Sequence, residues 1–149
     1  MNQQIKVLTV RQPWADAILS GLKTVENRSY RIKYRGRLYI HSSLAKPEKK
    51  DIYYCKQRGF DYDELHSYKG EILGYVTLSD VLIDSDNLWA FPSSYQWQLT
   101  NPVILKESIG AIGKLGLWTP PPDVIRQLVP QPPVKSKPQI FTQLSFFNL

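Results

Sequence analysis

Residues 8–30 read LTVRQPWADAILSGLKTVENRSY, a stretch that passes from strand to helix to a second strand within 23 residues. The β-rich run IKVLTV (5–10) leads into it. Pro13 suits the first turn of a helix, Trp14, Ala17 and Ile18 fall on one face of that helix, and Gly21 supplies its stop. The strand that follows, TVENRSYRI (24–32), alternates so that Thr24, Glu26 and Arg28 share one face while Val25 takes the other. Lys23 lies in the turn, outside that parity, and is free to swing toward the same place. Within eleven residues, GLKTVENRSYR, the chain therefore sets a lysine, a glutamate and an arginine within reach of one another.

Moving outward, the basic turn Lys33-Tyr34-Arg35-Gly36 joins that strand to GRLYIHS (36–42). Residues 47–58 form a second helix candidate, with Pro47 early and Gly59 after it. GEILGYVTLSDVLI (70–83), YQWQLT (95–100) and GAIGKLGLW (110–118) complete six strands. Six strands and two short helices without a βαβ rhythm predict an α+β, mainly β fold: a small, mostly antiparallel barrel. Seven of the eleven prolines fall between Pro120 and Pro138, and the last glycine is Gly116. That shift places the folded domain at 1–118 and a Pro-rich tail at 119–149, with a candidate short helix at 123–129 and an extended PQPPVKSKP linker.

Composition narrows the function. With 149 residues, 42% of them hydrophobic, the chain can bury a core without disulfides or metal. The longest apolar stretches are far shorter than the ~20 residues that cross a bilayer, and MNQQIKVLTV shows no signal-peptide pattern. One cysteine, Cys55, excludes an internal disulfide, and the expected setting is a soluble cytoplasmic protein with no membrane partner. Residues 1–58 carry 13 Lys and Arg against four acids, net +9, whereas residues 59–149 are net −3. Such asymmetry suits a phosphate-bearing partner, RNA or a nucleotide, or else is merely a basic surface.

The candidate site residues each admit two readings. Lys23, Glu26 and Arg28 either hold a ligand or form a structural ion pair that orients the helix; Lys23 can bind phosphate as a point charge or act as base or nucleophile once desolvated. Arg11 and Gln12 are suited to base edges or sugar, while Trp14 can stack on a base or sit in the core. Tyr30, Arg35 and Arg37 belong to a hairpin that interleaves cations with rings, which can follow a nucleic-acid backbone or simply be solvated. His41 is either a titrating base contact or a hydrogen-bonded structural histidine. Cys55, His41 and His66 lack metal-ligand spacing, so no metal and no cofactor is expected. Gly110, Gly113 and Gly116 make no phosphate loop and more plausibly permit bending or close packing. Ser42 and Ser43 lack the elbow motif of a serine hydrolase.

LTVRQPWADAILSGLKTVENRSY, then YRGRLYIHSS, then GKLGLW together resemble the ASCH (activating-signal-cointegrator homology) family, related to the PUA-like RNA-binding barrels. The family pattern G-x-K-x-x-E-x-R is matched at Gly21, Lys23, Glu26 and Arg28, and the likeness spans residues 5–118. The resemblance implies a β-barrel whose first helix forms a cleft lined by these residues, where family members are thought to bind RNA or other nucleic acid. One small bacterial branch deacetylates an N4-acylated cytosine nucleoside with a lysine, a threonine and a glutamate. Its lysine corresponds to Lys23, but Glu26 stands where its threonine would be, so Lys23 and Glu26 are the catalytic candidates only if this chain is such a hydrolase. Another relative is described as a metal-dependent ribonuclease; none of its residues maps here. In the tail, Gln143, Leu144, Ser145, Phe146 and Phe147 resemble the bacterial sliding-clamp-binding pentapeptide at four of five positions, with Phe146 in place of leucine. That likeness implies docking to the replication clamp as an adaptor; the alternative is a last strand packed on the domain. Oligomeric state is open.

Overall fold

The structure is a computed structural model that describes residues 4–65 and 70–129; the tail peptide at Gln143, Leu144, Ser145, Phe146 and Phe147 lies outside the described residues. In chain order the elements are β1 (Val7–Val10), α1 (Trp14–Leu19), β2 (Val25–Arg28), β3 (Gly36–Ser42), α2 (Lys49–Gln57), β4 (Glu71–Leu82), β5 (Tyr95–Gly110), β6 (Leu117–Trp118) and α3 (Pro122–Leu128). The six strands form one sheet in the order β2-β5-β4-β3-β1-β6. All neighbours run antiparallel except β1 and β3, which the crossover through α1 and β2 makes parallel. The expected six-stranded, mainly β architecture with short helices is what the chain adopts, as a curled half-barrel.

Curling comes from the long central pair. The β4–β5 ladder shifts register three times, and each irregularity adds bend and twist. β5 is much longer than the expected 95–100. It continues through Asn101, at φ 52°, and Pro102 to Gly110, because the bend lets the ladder resume beyond a residue pair that a flat strand would not accept. Of the run 110–118, Gly110 closes β5 and only Leu117–Trp118 form a strand of their own. Residues 111–116 leave the sheet as a loop.

Strand alternation builds two cores on opposite faces. Leu8, Val10, Leu38 and Ile40 point inward with Trp97, Leu99 and the α1 residues Ala15, Ile18 and Leu19. Their neighbours Val7, Tyr39 and Trp118 point the other way, and without cover this second apolar face would meet water. α3 supplies that cover: Val124 and Leu128, one helical turn apart, pack into it. The packed body therefore extends past Trp118 into the proline-rich stretch. A third, smaller cluster joins Ala17, Val25, Cys55 and Trp89 where α1, β2, α2 and the β4–β5 connection meet.

Candidate functional site

Lys23 is placed by the end of α1. Gly21, at φ 90°, turns the chain back at the helix C-terminus, a conformation that favours glycine. Its N–H bonds the Ile18 carbonyl, and the Lys23 N–H bonds that of Ala17. The lysine is thereby folded under the helix instead of out to solvent, and it is only 3% exposed. Its ammonium donates to the Val25 carbonyl and to Glu26 Oε1 at 3.0 Å. Glu26 Oε2 accepts from Arg28 Nε at 2.9 Å, and Arg28 also donates to the Thr9 carbonyl at 3.3 Å. Burial alone would raise the Glu26 pKa. The neighbouring Lys23 and Arg28 charges and their hydrogen bonds outweigh it, so the carboxyl titrates below its ordinary value and stays ionised. Two cations on one carboxylate leave a net positive floor.

Above Lys23 and Glu26 opens a cleft of about 470 Å3, bordered also by Trp14, Asn27, Lys50, Asp51, Tyr54, Trp89 and Phe91. Its walls are aromatic. Tyr54 of α2 meets Trp14 edge-on at 5.5 Å between ring centroids and Phe91 at 5.6 Å. Arg58 stacks its guanidinium 3.4 Å from the Tyr54 ring centre and donates to the Leu88 carbonyl, tying α2 to the β4–β5 connection. Asn27 fixes that connection from the other side: its amide donates to the Trp89 carbonyl, and its oxygen accepts from the Phe91 N–H and the Ser94 hydroxyl. Asn87 repeats the device, bonding the Thr24 hydroxyl and the Trp89 N–H. Cys55 lies behind this wall, where burial pushes its thiol up to about 11, so it is an inert thiol.

The structure brings together Lys23 and Glu26 at the cleft, with Arg28 behind them. Trp14 is half-buried against the core, as one reading has it, and also borders the cleft. Gln12 is buried and occupied: it donates to Asp16 Oδ1 and accepts from the Asp16 N–H, capping the first turn of α1. Arg11 is exposed and paired with Glu48 at 3.1 Å. Tyr30 lies edge-on to Trp97. Arg35 bonds the Ile32 and Tyr34 carbonyls, and Arg37 stacks on Tyr75. The expected hairpin does not form, because β2 pairs with β5 and β3 with β4 and β1, so Arg35 lies in a connection and Arg37 in β3, and neither borders the cleft.

His41 is sealed. Thr9 Oγ1 accepts from the Trp118 indole N–H, so its own proton is free to donate to His41 Nδ1, 3.1 Å away, and Nε2–H then donates to the Ala111 carbonyl at 2.7 Å. This assigns a neutral imidazole, in accord with burial lowering its pKa from the ordinary value. Gly113 closes the lid: a Cβ there would lie 2.7 Å from Thr9 Oγ1 and 2.9 Å from His41 Cε1. Close packing is thus the role of this glycine.

Sequence reasoning missed Asn27, Tyr54, Trp89 and Phe91. Their signal was weak. Aromatics scattered between two strands acquire meaning only once Asn27 and Asn87 pin them across more than sixty residues of chain.

A model of the ASCH domain matches residues 8–105. Activating signal cointegrator 1 of Homo sapiens is 36% identical over 95 residues, 60% of this chain, and its Mus musculus counterpart 30% over 124 residues, 74% of this chain. The matched regions make up 16% and 21% of those two proteins, so the chain spans about a fifth of their length. Among solved structures, the ASCH protein of Zymomonas mobilis aligns with a TM-score of 0.54 at 14% identity, covering 86% of this chain and 95% of that one. A point mutant of the same organism's protein gives 0.50 at 13% identity, over 85% and 97%. These likenesses carry the fold. Among the described residues no helix is long and apolar enough to cross a membrane. With the family pattern intact and its barrel in place, the chain belongs to the ASCH domain family.

Proposed function

We propose that this protein binds RNA or a nucleotide, with one base held in the cleft that Trp14 of α1, β2, α2 and the β4–β5 connection enclose. The observation that carries the reading is the pairing of aromatic walls with a buried charged floor. Rings at Trp14, Tyr54 and Phe91 offer faces and edges for a base, while the cavity, at about 470 Å3, has the size of a small-ligand site. An ammonium has three protons. Two at Lys23 are committed, which leaves one for an acceptor on the ligand. Glu26 keeps further lone pairs for a base amino group, and Arg28 orients it. The basic segment Arg31–Arg37 would add contacts to the phosphate backbone. Membership of a family thought to bind RNA supports the same reading.

Hydrolysis of a modified nucleoside is the weaker alternative. Lys23 and Glu26 are in hydrogen-bond contact, as a proton relay needs, but the hydroxyl nearest to them in sequence, at Thr24, is engaged by Asn87.

The test is binding of short single-stranded RNA and DNA across a salt series, for wild type and folded Lys23→Ala. The proposal predicts affinity that falls steeply with salt and a marked loss in the variant. A flat salt response with unchanged affinity in Lys23→Ala would sink it.

A further inference from the structure

The cleft has two chemically distinct ends. Its floor is the buried Lys23–Glu26 pair, both groups already partnered. Its mouth is formed by the first turn of α2, where Lys50 and Asp51 border the same cavity. Asp51 is half-buried, and among the described residues no hydrogen bond or ion pair engages its carboxylate. Lys50 is loosely held: its ammonium lies 3.5 Å from Glu48, which Arg11 already claims at 3.1 Å, and its side chain is 79% exposed. In the first turn of α2 the carboxylate meets the helix's positive end, and it shares the cavity border with a releasable cation. The neighbouring charge at Cys55 does not arise at neutral pH, since its thiol is pushed to about 11.

Resting on the base-binding reading above, we infer that Asp51 and Lys50 form the sugar-phosphate end of the cleft, Asp51 accepting a ribose 2′-hydroxyl and Lys50 contacting the adjoining phosphate. A base on the floor presents its sugar toward the mouth. There a vicinal diol or 2′-hydroxyl can donate to a carboxylate, which 2′-deoxyribose lacks the group to do. The phosphate then meets Lys50, which exchanges Glu48 for the stronger acceptor, while Arg11 keeps Glu48 in place. The ligand class is therefore a ribonucleotide, free or within a strand, and Asp51 is the residue that separates it from DNA.

The experiment titrates the protein with the four common ribonucleoside 5′-monophosphates and their 2′-deoxy counterparts, followed by protein-observed NMR, and repeats the best-bound pair with Asp51→Ala and Lys50→Gln. Lys50 is exposed and Asp51 half-buried in the first turn of α2, and wild-type-like amide spectra report that the variants are folded. Wild type should prefer the ribonucleotide roughly tenfold, the scale of one hydrogen bond to a charged group. Asp51→Ala should erase that preference with little change for the deoxynucleotide. Lys50→Gln should weaken nucleotides several-fold while sparing the matching nucleoside. Equal binding of ribo and deoxy forms by wild type, or a preference that survives in Asp51→Ala, overturns the inference and leaves the base-binding reading standing. Absence of shifts with all eight ligands and with single-stranded RNA overturns both.

Discussion

Two buried polar clusters meet at Thr9, and they differ in what lies beside them. The Thr9 carbonyl accepts from Arg28, which leads through Glu26 to Lys23 and the open cleft. The Thr9 hydroxyl, on the other side, takes Trp118 and gives to His41, and that branch ends against Ala111 and Gly113, none of which borders the cleft. Both are hydrogen-bonded networks of side chains able to do chemistry. The first is charged, keeps a donor in reserve and borders the cleft; the second is neutral, fully hydrogen-bonded and away from it. Placement beside space, more than residue type, distinguishes a site from a structural network.

The largest effect expected from breaking this contrast is at Lys23. Lys23→Met removes one cation from a buried carboxylate, and the cost should approach about 3 kcal/mol in a denaturant titration, the low end for breaking a buried pair, because Arg28 remains. Ligand affinity should fall in the folded fraction as well. Stability loss with unchanged affinity would make the first cluster as purely structural as the second.

Gly113→Ala should cost about 1–3 kcal/mol, since the added methyl has no room against Thr9 and His41. Nucleotide affinity should hold, because this cluster does not border the cleft. A matching loss of affinity would show the two networks to be coupled through Thr9.

Acid should address the clusters in turn. Burial holds the folded His41 below its ordinary value of 6.5, so the unfolded chain takes up the proton first. Its contribution is full above about pH 6.5 and is lost as pH falls through the folded value. Glu26, depressed below 4.5, gives stability that is full above that pH and lost as pH falls through its own folded value. Thermal melts across pH 3–8 should show the upper step vanish in His41→Asn, with the lower step retained. The smallest effect belongs to Arg11→Gln: its pair with Glu48 is exposed, and melting should register less than about 1 kcal/mol.

Most of the barrel was legible because β-rich runs such as IKVLTV and GRLYIHS are bounded by clear turns. The charged floor was legible too, since strand parity puts Glu26 and Arg28 together. What escaped was determined by contacts distant in sequence. β5 runs on past Pro102 because of register shifts against β4, and residues 111–116 leave the sheet because Gly113 must fit over His41. α3 packs because the outer face of β1 and β3 needs Val124 and Leu128, a demand invisible in a proline-rich stretch. The cleft walls needed Asn27 to hold Trp89.

Three of the four tryptophans divide between the two regions and give the most direct test. Trp14 and Trp89 border the cleft, Trp97 lies in the inner core, and Trp118 belongs to the sealed cluster. In a titration with single-stranded RNA, the indole N–H signals of Trp14 and Trp89 should move and that of Trp118 should stay. Movement of Trp118 with Trp14 and Trp89 unchanged would contradict the assignment of the cleft as the binding site.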